Sequence, residues 1–85
     1  MKNIEKNIIK ILVDKFGIEE SQITVNDELS NIGMDSIAII ELKLEILNKF
    51  GLKQEDINIL EDDSVSELVN KINPFLEDVE ERKYA

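Results

Sequence analysis

The segment with the most chemical content is Gly33-Met34-Asp35-Ser36-Ile37, where an irregular stretch opens into an apolar helical run reaching Phe50. A serine hydroxyl at such a place can cap the helix, act as a nucleophile or accept an ester. Self-activation needs a base, and the 85-residue chain has no histidine and no cysteine. Imidazole-driven nucleophiles, Cys/His pairs and the commonest zinc ligands are thereby excluded. No catalytic residue and no metal ligand is assigned, and the chain is not expected to be an enzyme. Position alone favours a cap, from Asp35 or Ser36, since either side chain can accept from the free N–H groups of the first turn. Those N–H groups and the positive end of the helix dipole also suit a phosphodiester carried on Ser36.

The net charge of −9 disfavours nucleic acid and favours partners with basic patches. Without cysteine there is no disulfide framework. No apolar run approaches the roughly 20 residues needed to cross a bilayer, and Met1 to Lys6 lacks the apolar core of a signal peptide. A cytoplasmic monomer without membrane association is expected, and Met1 and the charged tail favour a free-standing protein over an excised domain.

The elements that must position Ser36 follow from spacing. Ile4, Ile8, Ile11, Leu12 and Phe16 recur at helical intervals over residues 3–16, and Gly17 stands where a left-handed cap ends a helix. From 17 to 35 the helical period is lost, while Ile18, Ile23, Val25, Leu29 and Ile32 are spaced as plugs onto a neighbouring surface. This predicts an ordered crossover loop, longer than most connections in a compact domain. A helix over 37–50 closes at Gly51, and a short third helix is expected near 55–60. Ser64-Val65-Ser66-Glu67 fits a capping box, predicting a last helix over 65–73 that Pro74 ends. Residues 77–85 read as a charged, frayed tail. The fold class is all-α, a four-helix bundle with a long loop between helices 1 and 2.

The helix over 37–50 is apolar on more than one face. At about 100° per residue, Ile39, Leu42, Ile46 and Phe50 form one stripe, assigned to the core, and Ile37, Ile40, Leu44 and Leu47 form a second. Glu41, Glu45 and Asn48 lie on a polar arc. The second stripe either packs under the crossover loop and third helix or is a partly exposed surface where other proteins dock.

Gly33-x-Asp35-Ser36-Ile37 resembles the Gly-x-Asp-Ser-Leu signature of the acyl carrier protein family, in which the serine is esterified to 4'-phosphopantetheine. The resemblance extends to Leu29 and Ile32, Glu41-Leu42, Phe50-Gly51 and Asp63-Ser64-Val65, and covers the chain to Ile72. It implies Ser36 as attachment site of an arm taken from coenzyme A, and Asp35 as an aid to recognition by a phosphopantetheinyl transferase. It implies a carrier domain over 1–76 that holds acyl or aminoacyl groups as thioesters. Its partners would be a loading enzyme and condensing or tailoring enzymes, met through Ile37, Ile40, Glu41, Leu44 and Leu47. Fatty acid synthesis carriers usually have a strongly acidic recognition helix; here Ala38, Leu47 and Asn48 take those places, with Lys43 and Lys49 added. The helix is closer to carriers of polyketide or nonribosomal peptide pathways. The alternatives are a carrier for fatty acid synthesis, or an acidic helical adaptor in which Ser36 only caps. An EF-hand calcium site lacks its spacing around both Asn26-Asp27-Glu28 and Glu61-Asp62-Asp63.

Overall fold

The computed structural model describes residues 3–84, with side chains through residue 76. Among them are three α-helices, α1 (Ile4–Phe16), α2 (Ser36–Phe50) and α3 (Val65–Tyr84), with 3-10 turns at Glu20–Gln22 and Leu29–Ile32. α1 starts under Asn3, whose side chain accepts from the Lys6 N–H, and stops at Gly17 in the left-handed conformation. It packs against both α2 and α3. The apolar stripe Ile4, Ile8, Ile11 and Leu12 meets Ile39, Leu42, Ile46 and Phe50 of α2 and Val65, Leu68 and Ile72 of α3 in one core.

The long crossover is an ordered layer. Leu29 is fully buried, and Ile18, Ile23, Val25 and Ile32 are half-buried against the core. Its backbone is tied to the chain entering α3: the Leu29 N–H donates to the Asp63 carbonyl at 2.8 Å, Ser30 to Glu61 at 3.1 Å, and Ser66 to Val25 at 2.9 Å. The capping box forms as spelled, with the Ser64 N–H donating to Glu67 Oε1 at 2.8 Å and the Glu67 N–H to Ser64 Oγ at 3.2 Å.

Two boundaries differ from the sequence expectation. The short third helix near 55–60 is absent; a turn at 54–56 leads into irregular chain. Asp56 makes the start of a helix, accepting the Lys53 N–H on its carboxylate and donating its own N–H back to the Lys53 carbonyl, both at 2.9 Å. No helix follows because Ile57 and Ile59 are both buried while Asn58 and Leu60 face solvent. That period of two does not fit a helix, whose buried positions recur every three to four residues. Burial has overridden a local helix signal. The second difference is at Pro74, which lies inside α3 instead of ending it. Proline removes an intrahelical hydrogen bond and costs a helix interior about 3 kcal/mol, but Phe75 and Leu76 pack against the core and hold the next turn in place. The backbone of the expected charged tail continues this helix to Tyr84; Ala85 lies outside the described residues.

Candidate functional site

The segment before Ser36 is built to end one structure and start another. The 3-10 turn Leu29–Ile32 closes on Gly33, whose φ of +101° is open to glycine and strained for other residues. The Met34 N–H donates to the Leu29 carbonyl at 3.1 Å, and the Met34 side chain is buried at 2% exposure. Met34 is thus an anchor between two exposed neighbours, a role that the apolar spacing of the loop did not reveal.

Asp35 then takes an extended conformation and caps α2, its Oδ1 accepting the Ala38 N–H at 2.8 Å. This resolves the choice of cap. Ser36 is the first helical residue, it is exposed, and none of the described residues hydrogen-bonds its hydroxyl. The N–H groups of Ser36 and Ile37 precede the first intrahelical bond, which runs from Ile39 to the Asp35 carbonyl at 2.9 Å. An ester formed on Ser36 Oγ would sit in solvent at the positive end of a 15-residue helix, with unclaimed donors beside it. These residues fit a phosphate-linked group.

The second stripe of α2 divides along its length. Ile37 is 67% exposed, Ile40 63% and Leu44 48%, and Glu41 is exposed beside them. Leu47, grouped with them by helical spacing, is buried in the core at 8%. It lies in the last turn of α2, where Gly51 caps the helix in the left-handed conformation, the Leu52 N–H returns to the Leu47 carbonyl at 2.9 Å, and Leu52 packs against the same core. The far end of the stripe is covered, and the end next to Ser36 is open. Leu60, which spacing did not single out, is half exposed on the connection from α2 to α3. A groove runs between that connection and α2, with Ile40, Lys43 and Leu44 on one side and Gln54, Asn58 and Ile59 on the other.

The family described as "Phosphopantetheine attachment site" matches residues 6–72. The chain belongs to this acyl carrier protein family. It is 31% identical over 71 residues to an acyl carrier protein of Rickettsia bellii, covering 82% of this chain and 83% of that protein. To an acyl carrier protein of Thermotoga maritima it is 28% identical over 76 residues, covering 88% and 94%. It is also 33% identical over 61 residues to a 3-methylorcinaldehyde synthase of Talaromyces stipitatus, covering 72% of this chain and 2% of that synthase. To a non-reducing polyketide synthase of Monascus ruber it is 33% identical over 73 residues, covering 86% of this chain and 3% of that synthase. The chain therefore spans only 2–3% of the two synthases and most of the two acyl carrier proteins. No solved structure matches it at comparable significance. Family members are carriers and not enzymes, and their prosthetic group is covalently attached 4'-phosphopantetheine. Among the described residues no helix is long and apolar enough to cross a membrane.

Proposed function

We propose that Ser36 carries the 4'-phosphopantetheine arm and that the domain delivers acyl or aminoacyl groups in a polyketide or nonribosomal peptide type of pathway. The observation that carries the attachment site is the division of labour at the start of α2: Asp35 does the capping, leaving an exposed and unengaged hydroxyl on Ser36. When bound, the arm supplies a thiol on which cargo is held as a thioester. The chain's own residues hold the attachment point at a rigid helix end and surround it with a surface that partners read.

That surface is Ile37, Ile40, Glu41 and Leu44, with Asp35 assisting the phosphopantetheinyl transferase. Leu47 is left out because it is in the core. The pathway reading is supported by the apolar character of the exposed part of α2 and by the likeness to a short stretch of the non-reducing polyketide synthase of Monascus ruber. The likeness to the Rickettsia and Thermotoga acyl carrier proteins supports a second reading, a carrier for fatty acid synthesis. Either reading has the chain act as a monomer in the cytoplasm.

The attachment is tested by incubating the protein with coenzyme A, magnesium and a broad-specificity phosphopantetheinyl transferase and weighing it intact. One phosphopantetheinyl group is expected on the native chain and none on Ser36→Ala. A gain that survives the substitution would move the site elsewhere.

A further inference from the structure

Ser36 stands on a stretch of chain with few holds on the core. Of the described residues between Leu29 and Ile39, Met34 is the one that is buried, at 2% exposure; Ile32 and Ala38 are half-buried and the others face solvent. Met34 lies in the same core cluster as Leu29, and its N–H donates to the Leu29 carbonyl at 3.1 Å. Leu29 is tied in turn to the chain entering α3, its own N–H donating to the Asp63 carbonyl at 2.8 Å. The 3-10 turn, Met34 and the entry to α3 thus form one fixed base.

The first turn of α2 starts outside the core. Ser36 and Ile37 are exposed, and the first side chain of the helix to be buried is Ile39. The turn closes through the Ala38 N–H on Asp35 Oδ1 at 2.8 Å and the Ile39 N–H on the Asp35 carbonyl at 2.9 Å, and both bonds end on Asp35. Asp35 is itself exposed, and Gly33 has no side chain to bury. Helix ends fray, and the buried side chain nearest this one is Met34, immediately before its cap.

We infer that Met34 is a positioning residue for attachment of the arm: its buried side chain fixes the Asp35 cap, and through it the turn from which Ser36 Oγ is presented. This rests on the carrier reading. In the transfer a bond forms between Ser36 Oγ and the phosphorus of coenzyme A that bears pantetheine, and the pyrophosphate P–O bond breaks. Adenosine 3',5'-bisphosphate leaves with the electron pair, and the serine proton passes to the transferase. An attacking oxygen displaced by about 1 Å slows such a step by up to about 100-fold. Met34 touches none of the reacting atoms; it acts on where the oxygen stands.

The test compares Met34→Ala, Met34→Leu and Ile8→Ala on the full chain, at a temperature where circular dichroism shows each of them folded. Ile8→Ala opens a cavity in the same core from α1 and is the control for lost packing. Two quantities are read: Cα chemical shifts over 36–38 and, in the middle of α2, over 42–46, and the transferase kcat and KM for the carrier at saturating coenzyme A. For Met34→Ala the shifts over 36–38 are expected to move toward coil values while those over 42–46 stay helical. The kcat is expected to fall about 10-fold or more with KM within about twofold, the pattern of a misplaced nucleophile and not of a lost contact. Met34→Leu, close in volume, restores both, and Ile8→Ala leaves both as in the native chain. Helical shifts over 36–38 in Met34→Ala, an unchanged kcat, or an equal loss of kcat in Ile8→Ala each overturn the proposal. Should Met34→Ala fail to fold, Met34→Val, a smaller truncation, is read the same way and must lower kcat in the same direction. A native chain that takes up no arm sinks the carrier reading itself, whereas native uptake with an indifferent Met34→Ala sinks only this role.

Discussion

The start of α2 and the connection after it use the same device to opposite ends. Asp35 accepts a backbone N–H from three residues ahead, Ala38, and a helix follows. Asp56 and Asp63 accept backbone N–H groups from three residues behind, Lys53 and Leu60, and beyond Asp56 the chain is irregular and no helix follows. In the first region local chemistry and burial agree, since Ile39, Leu42 and Ile46 bury one face of the helix that the cap begins. In the second they conflict at 57–60, and burial wins. A side-chain bond to the backbone proposes a local structure, and the core disposes of it.

The same contrast applies along α2 itself, and the largest expected effect tests it. Leu47→Glu would place a carboxylate in the core and remove a buried leucine, and a loss of about 3–5 kcal/mol in unfolding free energy is expected. Leu44→Glu, one turn nearer Ser36 at 48% exposure, is expected to stay within about 0.5 kcal/mol while weakening transfer to a partner enzyme. Urea denaturation of the two variants checks the division. Equal losses would put the whole stripe in the core and leave no apolar docking strip.

A smaller effect is expected at the junction. A Cβ on Gly33 would meet nothing within 4 Å, so Gly33→Ala brings no clash and isolates the conformational cost of φ +101°. The left-handed region penalises other residues by about 1–2 kcal/mol. Thermal unfolding should register a loss of that size. No loss would mean that the turn before Ser36 relaxes freely, and that its geometry is not what presents the serine.

Much of this was legible in the sequence because it depends on local rules. Gly17 and Gly51 as caps, the Ser64–Glu67 box and the core stripe Ile39, Leu42, Ile46 and Phe50 follow from spacing and capping preference, and the chain adopts them. What spacing could not show was set by distant parts of the chain. Leu47 joins the core at the end of α2 where the chain turns out of the helix at Gly51, Pro74 stays helical because Phe75 and Leu76 find the core, and 57–60 is not helical because Ile57 and Ile59 both do. One signal for the last was present: Ile57-Asn58-Ile59 alternates apolar and polar, as extended chain does when one face is buried. At the candidate site, the motif pointed to Ser36, but whether it or Asp35 made the cap depended on a bond between Asp35 and Ala38 that only the fold displays.

That bond also gives the prediction with the smallest effect on stability. Asp35 has two proposed duties, capping α2 and aiding the transferase, and Asp35→Asn separates them. Asparagine caps helices about as well as aspartate, so the unfolding free energy should change by less than about 0.5 kcal/mol. What is removed is the negative charge, and with it the attraction toward a metal ion or basic group on the transferase. Uptake of phosphopantetheine should then slow by about 10-fold or more, the scale of a lost charge contact of about 1.4 kcal/mol, with Asp35→Ala slower still and less stable by about 1 kcal/mol. Unchanged uptake in Asp35→Asn would reduce Asp35 to a cap. The start of α2 would then be specified by helix chemistry alone, and recognition would rest on Ile37, Ile40, Glu41 and Leu44.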